Sequence, residues 1–217
     1  MKQKNDKQTK HPQGARDRIL HTAHDLFYRE GIRATGIDRI IATAGVTKVT
    51  FYRHFPSKND LIIAFLEYRH QLWIEWFSTE LQRYSGHLGA LIPALRSWFE
   101  NDDFRGCAFI NSTGELGTVL PQVMEMTRRH KHDMTELIQR LLPTSPSTDR
   151  DAQAIALAVD GAIIHAQFES SPEETLQSLD RILKLLGPER NNGYVHSEVE
   201  RLKQYLLCFV HNLVDHR

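Results

Sequence analysis

The chain has 217 residues, 27 Lys/Arg against 27 Asp/Glu and only two cysteines, enough for a sizeable core in one or two domains. No stretch reaches the roughly 20 apolar residues that span a bilayer, and two cysteines give no disulfide framework and suit a reducing cytoplasm. The zero net charge hides a polarity: residues 1–60 hold 12 Lys/Arg against 6 Asp/Glu, leaving 15 against 21 for the rest, the asymmetry expected when one end meets a polyanion.

Residues 1–12 (MKQKNDKQTKHP) are polar and basic and read as a disordered tail, with no apolar run behind them to make an export signal. A helix over about 14–30 follows, with Ile19, Leu20, Ala23, Leu26 and Phe27 as its apolar stripe and Gly31 as its stop. Thr35 and Asp38 fit a T-x-x-D cap for the next short helix, whose apolar side is Ile37, Ile40 and Ile41. Gly45 supplies a left-handed turn, and Thr47 restarts the chain as a second N-cap.

In the helix after Thr47, Phe51 and Phe55 are four apart and share a buried face. Val49 and Arg53 then lie opposite, flanked by Thr50 and Tyr52. A recognition helix offers its N-terminal residues to base edges in the major groove. Lys48, Val49, Thr50 and Arg53 are therefore the candidate groove readers: the cations can donate to guanine and the valine can meet a thymine methyl. Thr47, Tyr52, His54 and Lys58 are better placed for phosphates, and Thr35 at the start of the preceding helix is counted with the DNA-contacting residues. Pro56 breaks this helix, Ser57 can cap the next, and Lys58 beside those first-turn N–H groups suits one phosphate.

The segment resembles the DNA-binding domain of the TetR (tetracycline-repressor-like) family. The matching residues are Thr35, Ile40, Ala44-Gly45-Val46, Thr47-Lys48, Phe51-Tyr52, His54-Phe55, Pro56-Ser57-Lys58 and Leu61. Ile41 stands where a small alanine is usual, and Val49 where glycine, alanine or proline is frequent. The close match covers roughly residues 13–62.

A long amphipathic helix is expected from Lys58 to about 84, then helices near 88–100, 119–142, 150–169, 172–187 and 195–214. With no convincing strand, the class is all-α: a helix-turn-helix domain over 13–60 and a second helical domain over 61–217. The resemblance implies that the second domain binds a small-molecule effector and forms a homodimer on a palindromic operator in double-stranded DNA. Trp73, Phe77, Trp98 and Phe168 offer aromatic material for either a pocket or a plain core, and Asn111, Glu115 and His165 are polar candidates among them. For the dimer, Ile155, Val159 and Ile163 with Leu179, Ile182 and Leu186 supply apolar contact, and the alanines and Gly161 allow close approach.

Cys107, in FRGCAF, resembles an Arg-Gly-Cys element of relatives regulated by electrophiles or oxidants. Arg105 and a possible helix start could favour its thiolate, although a free cysteine is more often a small buried hydrophobe. His21 and His24, and His130 and His132, lack the further ligands of a closed metal site. With no phosphate loop, nucleophile elbow or metal motif, neither enzyme activity nor a cofactor nor a metal is expected. The reading is a ligand-responsive repressor, with an electrophile-responsive repressor or an effector-free activator as alternatives.

Overall fold

The computed structural model describes residues 14–187. The basic tail, Cys208 and the helix expected over 195–214 lie outside them. Among the described residues every regular element is helical, which makes the fold all-α.

Three helices form a head: α1 (Ala15–Glu30), α2 (Ile37–Ala44) and α3 (Lys48–His54). Ile19, Ala23 and Phe27 of α1, Ile40 of α2, and Phe51 and Phe55 around α3 are all buried together. Gly45 closes α2 at φ 63°, ψ 43°, the left-handed region that costs a residue with a Cβ more than glycine. Thr47 caps α3 by accepting from the Thr50 N–H at 3.1 Å.

The 26-residue α4 (Lys58–Arg83) runs from the head into the body, a span of about 39 Å at 1.5 Å per residue. Its buried stripe reads Leu61, Ile62, Phe65, Leu66, Arg69, Trp73, Phe77, Leu81. The first part packs on α1, where Phe65 meets Phe27 edge-on at 5.4 Å. The boundary read at 60/61 thus falls inside one continuous helix.

The body adds a 3₁₀ turn (Leu88–Ala90), α5 (Leu91–Phe99), α6 (Ala108–Leu116), α7 (Pro121–Gln139), α8 (Thr148–Phe168) and α9 (Glu173–Leu186). The helix expected over 88–100 is therefore a 3₁₀ entry followed by α5. Beyond the helix start noted at Cys107, α6 is not among the expected helices: AFINSTGEL is nine residues long, with Asn, Ser, Thr and Gly at its centre, too short and too weakly periodic to stand out. Among the described residues no helix is long and apolar enough to cross a membrane.

Candidate functional site

The helix α3 presents two chemically opposite sides. Phe51 and Phe55 are 0% and 2% exposed, while Val49 is 70% exposed and Tyr52 40%. Lys48, Arg53 and Thr47 are exposed as well, and Thr50 and His54 are half-buried. Behind the helix the Arg16 guanidinium lies 5.3 Å from the Phe55 ring centre, and the Tyr52 ring meets Phe51 edge-on at 5.2 Å. The outward side is therefore a cationic and hydroxylated surface held by an aromatic anchor. Lys48 also stands 3.9 Å from Asp38 across the turn, a solvent-exposed pair worth little by itself.

Two residues of the expected contact set face elsewhere. Thr35 is fully buried, its hydroxyl donating to the Gly31 carbonyl at 2.8 Å. Gly36, not Thr35, occupies the N-cap of α2. Lys58 is half-buried and its Nζ donates to the Ile32 carbonyl at 2.6 Å. Burial pushes its pKa down, opposed by the nearby Glu115 charge. The anion position at the start of α4 is filled internally: the Ser57 hydroxyl accepts from the Asp60 N–H and donates to the Asp60 carboxylate at 2.6 Å. As positioned, the lysine serves the head's own backbone and the helix start is capped by its own Ser57 and Asp60.

The head is tied to the body through the end of α1 and the loop after it. Glu115 of α6 accepts from the Ile32 and Arg33 N–H groups at 3.2 and 2.7 Å. The Tyr28 hydroxyl donates to the Gly106 carbonyl at 3.0 Å and accepts from the Arg105 N–H at 3.1 Å. Arg29 pairs with Asp103 at 2.6 Å. Gly106 sits at φ 77°, the left-handed region that favours glycine, while the exposed Gln167 amide that an added Cβ would meet can move aside.

The sequence signature described as "Bacterial regulatory proteins, tetR family" matches residues 19–65, the three head helices and the start of α4. The head therefore carries the DNA-binding signature of the TetR family. YxaF of Bacillus subtilis, an uncharacterized HTH-type transcriptional regulator, is 40% identical over 55 residues, 25% of this chain and 29% of that protein. The chain's match spans less than a third of the length of the curated relatives. Among solved structures, SCO4454, a TetR-family transcriptional regulator from Streptomyces coelicolor, superposes with a TM-score of 0.72 at 29% identity, covering 81% of this chain and 89% of that one. The reduced form of NemR from E. coli superposes at 0.66 with 22% identity, covering 78% and 97%, a likeness of fold.

Against that TetR frame, the expected effector residues fall into three groups. Trp73, Trp98 and Cys107 come together with Phe109, His130 and Ile163, but the space between them is only about 10 Å³, at the lower limit for a single water. Phe77 is core, stacked on Trp73 at 4.6 Å. Asn111 donates to the Arg105 carbonyl and Glu115 holds the head, so both are committed to backbone. His165 and Phe168 lie on the outer side of α8, Phe168 65% exposed, remote from the role assigned to them among buried aromatics.

Cys107 is buried at 4% exposure, and the Arg105 guanidinium donates to the Asp102 and Phe104 carbonyls. The guanidinium is thus turned to backbone carbonyls, while Cys107 itself is the buried N-cap residue of α6. Of the residues named for a dimer, Ile155, Val159, Ile163 and Leu179 point into the subunit core and Leu186 is half-buried; Ile182 is 38% exposed. The apolar surface of these two helices consists instead of Leu157, Ile164, Phe168, Ile182 and Leu185. The 3.6-residue period runs all round α8 in apolar residues, so sequence alone could not say which side faced inward.

Sequence reasoning missed Arg69, and the signal was present. Residues 62, 65, 66, 69, 73 and 77 form one helical stripe, and an arginine at its centre is out of pattern.

Proposed function

We propose that the chain is a DNA-binding transcriptional regulator, a repressor whose homodimer grips a palindromic operator and releases it when a small effector binds the body. The observation that carries this reading is α3: two aromatics sealed behind it and Lys48, Val49, Thr50, Tyr52 and Arg53 in front. Arg53 and Lys48 would read guanine edges and Val49 a thymine methyl, with Thr47, Tyr52 and His54 on phosphates. A second subunit would join through the apolar faces of α8 and α9, setting the two copies of α3 one turn of DNA apart, about 34–36 Å. The effector would act through α4 and through the Tyr28, Arg29 and Glu115 links, because these hold the head's position relative to the body.

Selection of bound DNA from a random pool tests the proposal, since it reports function and half-site spacing together. A short palindrome with half-sites one turn apart is expected. Arg53→Ala should cost about 1–3 kcal/mol and relax preference at one base pair of each half-site. Tyr52→Ala should weaken binding to all sequences alike. Recovery of no enriched sequence, or wild-type affinity in both variants, would overturn the docking through α3.

A further inference from the structure

Among the described residues Arg69 is a charge with no counter-charge. It is 4% exposed at the middle of α4. Its Nη1 lies 3.5 Å from the His24 Nε2, and its guanidinium carbon 4.0 Å from the Tyr28 ring centre. Among the described residues it has no ion pair: Glu67 pairs with Arg129, Asp133 with His70, Asp160 with Lys131 and Asp25 with His24, and Glu75 of the same helix makes no ion pair with it. Half-buried His24 and buried His130 are held neutral first by burial, with Arg69's charge adding to it at His24 and Lys131, His70 and Arg69 adding to it at His130. A buried guanidinium with five donors and no anion is costly to keep.

A second donor is stranded beside it. The Trp73 Nε1–H, one turn along the same face, is buried without an acceptor. Both side chains line a groove of about 390 Å³ whose other walls are His24, Tyr68, Leu72 and Trp76, with Glu75 and Thr79 at its far end. Volume and lining suit one small planar molecule. Arg69 supplies the fork that matches a carboxylate, and the Tyr68, Trp73 and Trp76 rings supply faces for an aromatic body.

We propose that this groove along α4, between Arg69 and Trp76, binds a small aromatic carboxylate whose carboxyl group pairs with Arg69 and the Trp73 indole N–H. This names the effector class and the site, and so rests on the ligand-responsive reading above. The consequence for the head is direct. Arg69 now stacks on Tyr28, whose hydroxyl is held by Gly106 and Arg105 of the body. An acid that draws the guanidinium towards the groove alters the packing of that link; on the release reading acid weakens DNA binding, and linkage then requires DNA to weaken acid binding by the same factor.

The test uses the full chain and calorimetric titration with benzoate, phenylacetate and indole-3-acetate, each beside its neutral primary amide. At least one acid should bind at least roughly tenfold more tightly than its amide, because the amide leaves the guanidinium unpaired. Arg69→Met should abolish that preference. Trp73→Phe, which keeps the ring and loses the donor, should weaken the acid several-fold. Should Arg69→Met fail to fold, Arg69→Lys keeps the charge without the fork, and the same acid should lose affinity. No binding by any of the acids up to about 10 mM, equal affinity for acids and amides, or undiminished acid binding in the arginine variants would each overturn the proposal. Affinity of the ligand-free protein for its selected DNA is read separately. Intact DNA binding with no acid binding rejects this site alone, whereas acid binding without any selected DNA rejects the regulator reading alone.

Discussion

His24 is where burial and charge act on one side chain most plainly. Burial, and then the neighbouring Arg69 charge, push its pKa down to about 4, against the opposing pull of Asp25. The unfolded chain takes up this proton as the pH falls below the ordinary 6.5, while the folded chain resists it until about 4. The stability that neutral His24 contributes is therefore complete above 6.5 and drains away as the pH falls through that window, at up to about 1.4 kcal/mol per pH unit. His130, buried and stacked on Phe109 at 3.8 Å, and His70 shift in the same direction. The carboxylates held low by cations, such as Glu67 beside Arg129, lose their contribution only below the ordinary glutamate range, so the histidine window stands apart. The melting temperature is expected to drop steadily between about pH 6.5 and pH 4.5, and His24→Gln should flatten that slope. A wild-type melting temperature constant across the interval would refute the assignment.

At the scale of elements, α3 was legible because four independent local signals agree on it: a cap at Thr47, a turn glycine at 45, a helix stop at Pro56 and the Phe51/Phe55 spacing. What local pattern could not reveal was contact between distant segments. Thr35 reads as a cap from its neighbours, yet its hydroxyl is claimed by Gly31. Glu115 reads as a polar residue in an aromatic body, yet it serves the backbone of residues 32 and 33, more than 80 positions away. Lys58 reads as a phosphate ligand and is taken by Ile32. The loop after α1 is thus clamped by an anion on its N–H groups and a cation on its carbonyl. Glu115→Ala strands two amides that a carboxylate now accepts from, which should cost about 1.5–3 kcal/mol per bond at most. Hydrogen exchange at Ile32 and Arg33 should quicken markedly while core amides of α7 keep their protection. Unchanged exchange at those two sites would mean that the clamp contributes nothing.

For the whole molecule, the described part of the basic end, residues 14–60, is a head with eight Lys/Arg against five Asp/Glu, and two helices of the body expose apolar residues. Leu157, Ile164 and Phe168 on α8, with Ile182 and Leu185 on α9, are exposed together, and a groove between the two helices is lined by Ala158, Gly161 and Ala162. An exposed patch of this kind marks an interaction surface, and a two-fold axis through it would pair each residue with its own copy or a near neighbour. Phe168→Glu would then set two carboxylates against each other at the centre of a dry contact. The expected result is a monomer in sedimentation at concentrations where wild type is dimeric. On the homodimer and palindromic operator proposed above, each head alone would reach only half a site, so affinity for the selected operator should fall by about 10²–10⁴, the factor lost with bivalence. Binding to a single half-site should be unaffected, since α3 and its aromatic anchor are untouched. A variant that remains dimeric would place the interface elsewhere. Loss of half-site binding as well would show that the substitution had damaged the head and not merely separated two subunits.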